Sequence, residues 1–159
     1  MLRAHLFMEE LWKGYTRPAI RNRRVYPFSV PSDKRLCLTS VKDMGAVAAR
    51  CVLENFDGAL DVVSDALTPR EMAAAFSAAQ GGPPVAHRQA WLLFVASRVL
   101  LPELHAIIRF YRGTDFRPYI ASTDLRDALP GLPPLQTFAA FLDETRWADA
   151  DRSYDDLAR

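Results

Sequence analysis

Glycine is scarce in this chain and badly spaced for holding a phosphate. The seven glycines among 159 residues are Gly14, Gly45, Gly58, Gly81, Gly82, Gly113 and Gly131. They form no GxGxxG, GxxGxxG or P-loop run, so the chain offers no glycine turn where backbone amides could meet a pyrophosphate at a helix N-terminus. Cysteine is rarer still. Cys37 and Cys51 belong to no CxxC or Cys/His cluster, a usage that suits free core thiols and a reduced, cytoplasmic setting. His5, His87 and His105 are too scattered for HExxH or another spaced ligand set, and there is no GxSxG elbow, which argues against zinc and serine hydrolase chemistry. A Tyr four residues before a Lys, able to pass a proton during hydride transfer, is missing. The residues four after the tyrosines are Ala19, Val30, Asp115, Thr123 and Ala158.

Long apolar runs are absent as well. The longest, Ala90 to Ala96, is broken by Ser97 and Arg98 and then by Pro102, well short of the roughly 20 residues of a membrane span; it is expected to be a buried helix. The N-terminus has one early Arg and no sustained apolar region, so no secretory signal is expected.

The residues present describe an α/β domain. With 50% hydrophobic and 25% charged residues and a formal net charge of +1, the chain has enough apolar material for one globular core without metal or disulfide staples. Arg35 to Ser40 alternates apolar and polar residues and reads as a strand. A helix follows, with Asp43 as its expected N-cap and Met44, Val47, Ala48, Cys51 and Val52 on one face. Gly58 to Asp65 reads as a second strand. Thr68 and Glu71 form a capping box, Pro69 takes the first helical position and Gly81 with Gly82 ends the turn, so a helix is expected over 69–80. "PPVAHRQ" is expected to hold a short strand, and 90–111 a helix broken at Pro102. Its second half carries a stripe of Leu104, Ile107, Ile108 and Tyr111, suited to the core or to the wall of a ligand pocket. A short helix near Thr123, a last one over 137–147 and a loose polar tail complete the expectation.

Two segments carry candidate chemistry. Lys13, Arg17, Arg21, Arg23 and Arg24 lie together without an acid, with Tyr15, Tyr26 and Phe28 interleaved. The stretch is either a solvated loop or a stand-alone module's site for an anionic partner. The opening "LRAHLFMEEL" reads as a strand end running into a helix, the place where ligands of αβ folds gather, and it contains His5.

In order along the chain, "LRAHLFMEEL", "TSVKDMGAVAARCVLE", "GALDVVSDALTPREMAAAFSAAQGGPPV", and "DLRDAL" with "TFAAFL" resemble the NmrA-like family of atypical short-chain dehydrogenases/reductases, within the NAD(P)-binding Rossmann superfamily. The resemblance covers residues 1–147, leaving a polar tail at 148–159. It implies an α/β fold: the C-terminal portion of a Rossmann-like NAD(P)-binding fold with its smaller, mostly helical substrate lobe. It also implies that this is the later part of a larger architecture, with Met1 at an internal position, truncated so that it lacks the glycine-rich loop and the first strands that precede this region in the family. Such a chain would bind no cofactor alone, NAD(P) belonging to full-length members, and would be inactive as an isolated oxidoreductase. Residue by residue, the match puts Phe7, Met8 and Glu9 near the substrate, with Arg3 and His5 flanking them and no catalytic residue assigned. Ala4 replaces the family's usual Pro and Glu10 its usual Asn. Implied partners are a small-molecule substrate, a second copy or a complementing N-terminal half; neither membrane nor nucleic acid is expected.

Overall fold

The computed structural model describes residues 1–14 and 16–158; Tyr15 and Arg159 lie outside them. Among the described residues seven short strands are interspersed with helices: β1 (Leu2–Ala4), β2 (Leu6–Phe7), a 3-10 segment (Met8–Trp12), α1 (Thr16–Arg23), β3 (Val25–Pro27), β4 (Leu36–Thr39), α2 (Val41–Leu53), β5 (Leu60–Val62), β6 (Asp65–Leu67), α3 (Pro69–Gln80) and β7 (Ala86–Arg88). Helices dominate thereafter: α4 (Trp91–Leu100), α5 (Pro102–Gly113), α6 (Arg117–Ala121), α7 (Asp124–Ala128), α8 (Phe138–Glu144) and a closing 3-10 turn (Tyr154–Ala158).

Parallel pairing sets the frame. β1 pairs with β5, β2 with β4, and β3 with β7, all parallel, while β6 adds to β4 antiparallel. Residues 35–40 do form a strand, but all four residues of β4 are buried: helices and strands cover both faces, as around a central strand. The expected strand over 58–65 is two strands. The break falls at Ser64, whose N–H reaches the Leu38 carbonyl at 2.8 Å and whose hydroxyl accepts from Ser40 N at 2.9 Å, so chain direction changes without a glycine.

The capping box of α3 forms as expected. Thr68 Oγ1 accepts from Glu71 N at 3.1 Å, Glu71 Oε2 accepts from Thr68 N at 2.7 Å, and Gly81 leaves the helix at φ 60°. In α2 the cap position belongs to Ser40 rather than Asp43. Asp43 lies inside the first turn, and its carboxylate accepts from Gln136 N at 2.8 Å, tying α2 to the approach to α8. Val47 is fully buried, whereas Val52 is 76% exposed, so the apolar face of α2 stops short of its last turn. α4 is not a buried helix: Trp91, Leu92, Val95, Val99 and Leu100 all face outward, and the contact it makes with α5 runs through Phe94 stacked on His105 at 4.7 Å.

The basic segment is not a loop, and the tail is not loose. α1 carries Arg17, whose side chain is buried between two indoles, 3.9 Å from the Trp12 ring and 5.6 Å from the Trp147 ring. Its guanidinium donates to the carbonyls of Trp147 at 3.1 Å, Asp149 at 2.5 Å and Arg152 at 2.5 Å. Arg21 donates to the carbonyls of Asp149 and Ala148, and Arg24 to those of Gly81 and Pro83. Burial, reinforced by the nearby Arg21, brings the Arg17 pKa down to about 10, so it stays charged at neutral pH. Charge-assisted bonds and cation–π stacking make it the rivet between the start and the end of the described chain.

Arg17→Met keeps the stem and removes the fork, leaving three carbonyls without their donor. It should cost about 2–4 kcal/mol of unfolding free energy in urea, with Arg17→Lys intermediate because a lysine cannot bridge three acceptors in a plane.

Candidate functional site

The site grows out of the β1–β5 register. Side chains alternate along a strand, so Arg3 and His5 project to the face opposite Leu2 and Ala4. Arg3 is aligned with Asp61. Its Nε donates to Asp61 Oδ1 at 3.0 Å and its Nη2 to Oδ2 at 2.5 Å, a fork that holds the carboxylate still. His5 comes next, its Nε2 3.5 Å from the same Oδ1 and its side chain only 7% exposed. Its ring meets Tyr119 edge-on at 5.1 Å and Phe116 at 6.0 Å, and its backbone N–H donates to Thr39 Oγ1 at 2.9 Å. Burial lowers the His5 pKa, outweighing the opposing pull of Asp61, so the imidazole is neutral at pH 7.

Two cavities meet at this cluster. One of about 340 Å³ lies between β2, the 3-10 segment, β3 and α5, with a mostly apolar wall of Phe7, Phe28, Leu104, Ile107, Ile108 and Tyr111, and with His5 at one end. The other, about 570 Å³, is lined by Asp61, Ser64, Tyr119, Arg126, Pro133 and Thr137. His5 faces the first, while Asp61 and Tyr119 border the second. The α5 stripe serves both of its expected roles: Ile108 and Tyr111 are buried, Ile107 is half exposed, and all four members line the smaller cavity.

The predicted site residues divide. His5 and Phe7 stand in the cavity wall. Arg3 is outside the cavity and acts on Asp61. Met8 is fully buried in the main core with Trp12, Met72 and Phe76, so no ligand can touch it in this conformation. Glu9 is half-buried; Oε1 accepts from Val41 N at 3.0 Å, a cap for α2 that the Ser40 side chain does not provide, and burial raises its pKa. Glu10, beside it, lines the cavity and pairs with Lys13 at 2.5 Å.

Asp61 and Tyr119 were missed. A lone acid inside the apolar stretch "ALDVV" was the available signal for Asp61. Nothing in the sequence connects Tyr119 to a histidine more than a hundred positions away. Of the basic segment, Arg17, Arg21 and Arg24 are turned onto backbone carbonyls. Cys37 is buried, which pushes its thiol up to about 12, and Cys51 is half-buried; both are free. Among the described residues no group of three or more His, Cys, Asp or Glu is placed to hold a metal, and no helix is long and apolar enough to cross a membrane.

The architecture that carries this site is part of a Rossmann-like α/β fold. A solved structure with that fold, a nucleoside-diphosphate-sugar epimerase from Staphylococcus aureus, superposes with a TM-score of 0.64 at 16% identity over 89% of this chain. The matched region is 50% of that epimerase, so the present chain spans half its length. No family model and no curated protein sequence matches the chain.

His5 and His87 should set the acid limb of stability. His87 is also lowered from its ordinary value by burial, against a hydrogen bond from its Nε2 to the Phe28 carbonyl. Both histidines protonate more readily in the unfolded chain, so that state binds more protons and stability drops as pH falls below 6.5. Urea unfolding from about pH 7 to about pH 5 should show this loss, and His5→Phe with His87→Phe should flatten it.

Proposed function

We propose that this chain supplies the substrate-binding side of an NmrA-like, NAD(P)-linked fold, as part of either a reductase or a dinucleotide-sensing protein. Alone, it holds a small apolar molecule and no dinucleotide. The observation that carries this reading is the cavity beneath α5, whose wall includes His5 and Phe7 of the "LRAHLFMEEL" segment. A fold likeness covering half of the epimerase supports it, and so does the lack of a glycine-rich turn in these 159 residues.

The sugar-nucleotide class of the epimerase does not carry over. A diphosphate needs converging cations or backbone amides, and the cavity instead presents phenyl and aliphatic groups, with Lys13 already paired to Glu10. A complementing half would bring the dinucleotide loop. Among the described residues β1 is hydrogen-bonded on one side only, to β5, and its open edge would take a further strand.

Two titrations test the proposal. Calorimetry with NADPH and NADH should show no binding, and micromolar affinity for either would overturn the absence of a dinucleotide site. 1-Methylnaphthalene, followed by NMR shifts, should bind in the cavity. Ile107→Trp, which fills the mouth from a half-exposed position, should weaken it at least about fivefold while changing unfolding free energy by no more than about 0.5 kcal/mol. Undiminished binding to that variant would sink the cavity assignment.

A further inference from the structure

We infer that His5, oriented by Asp61, is a hydrogen-bond acceptor that selects an apolar ligand bearing a hydroxyl group in the cavity beneath α5. The inference rests on the proposal that this cavity is the small-molecule site. It starts from an unmet need: the His5 side chain is almost wholly buried, its Nε2 has only the Asp61 carboxylate within reach, at 3.5 Å, and no hydrogen bond engages Nδ1 among the described residues. Buried polar groups are seldom left so.

The neighbours decide which nitrogen carries the proton. Nε2 is directed at Asp61 Oδ1, 3.5 Å away. A carboxylate only accepts, so the neutral ring keeps its proton on Nε2. Arg3 grips both oxygens of Asp61 and prevents the carboxylate from swinging away. Tyr119 and Phe116 fix the ring plane. Nε2 is therefore committed to Asp61, and Nδ1 is the nitrogen left for a molecule in the cavity, offering a lone pair and no proton.

The other polar groups of the wall impose no such demand. Glu10 is paired with Lys13, Ser29 donates to the Ala90 carbonyl at 2.9 Å, and Tyr26 turns its hydroxyl to the Met72 sulfur at 3.8 Å. The hydroxyls of Thr16 and Tyr111 can rotate to give or accept. His5 is the member of the wall whose remaining nitrogen has no partner, and it asks the ligand for a donor. An alcohol or phenol on an apolar frame satisfies it; a ketone or an ether does not.

The test compares 1-naphthol with 1-methylnaphthalene, which differ by a hydroxyl in place of a methyl of similar size. His5→Phe should weaken 1-naphthol about 5–10-fold and 1-methylnaphthalene less than about twofold. Asp61→Asn, whose amide can donate to Nε2, frees the tautomer and should reduce the same preference. Imidazole ¹⁵N shifts of the wild-type protein, which need no variant, should show the Nε2–H tautomer and a perturbed Nδ1 on adding 1-naphthol. If both probes bind and His5→Phe changes them equally, or if the wild-type ring is Nδ1–H, the role of His5 is overturned and the cavity stands. If neither probe binds, the cavity assignment fails and takes this inference with it.

Discussion

The register between β1 and β5 is the constraint on which the rest depends. With Leu2 opposite Leu60 and Ala4 opposite Val62, one face of the pair supplies Leu60 and Val62 to the core around Val47 and Leu129. The other face brings Asp61 to Arg3 and His5. A slip of one residue would exchange the faces, pushing a carboxylate into that core. Thr39 transmits the same register to the next sheet, because its hydroxyl donates to the Val62 carbonyl at 2.6 Å and accepts from His5 N. One threonine thus links β4, β5 and the turn from β1 to β2, where the cavity begins.

The site so built has a division of labour within a single short segment. Residues of "LRAHLFMEEL" face different surroundings: Arg3 steadies an acid, His5, Leu6 and Phe7 meet the cavity, Met8 fills the core and Glu9 caps α2. A strand running directly into a 3-10 turn makes this possible, since the change of period from two to three sends consecutive side chains in several directions. The result is a cavity wall whose neighbouring residues in the chain are anchored in the core and at the start of α2.

Local grammar was legible, and long-range geometry was not. Thr68, Pro69, Glu71 and Gly81 announced α3 because a capping box is written within four residues and satisfied there. Asp43 misled because an acid two residues inside a helix looks like a cap until its partner, Gln136 N, is known. The helix over 91–100 was expected inside on composition alone, yet its apolar side is turned to solvent, an orientation that hydrophobicity without a partner cannot specify. The basic stretch had no visible acids because its acceptors are main-chain oxygens, which every sequence has and none displays. Half of the candidate site was found, through His5 and Phe7; Asp61 required strand register, and Tyr119 the packing of α6.

Arg17 also has a kinetic meaning. Its three carbonyl partners lie 130, 132 and 135 residues further along the chain. Closing a loop of that length in a flexible chain costs roughly 4 kcal/mol of entropy before any contact repays it. Such contacts form after local helices have shortened the effective loop. The 3-10 segment that walls the cavity is pinned through Trp12 to this same guanidinium, so the cavity is expected to be among the last parts of the molecule to close. Trp12 can therefore reach its final setting only once residues 147–152 have been synthesised.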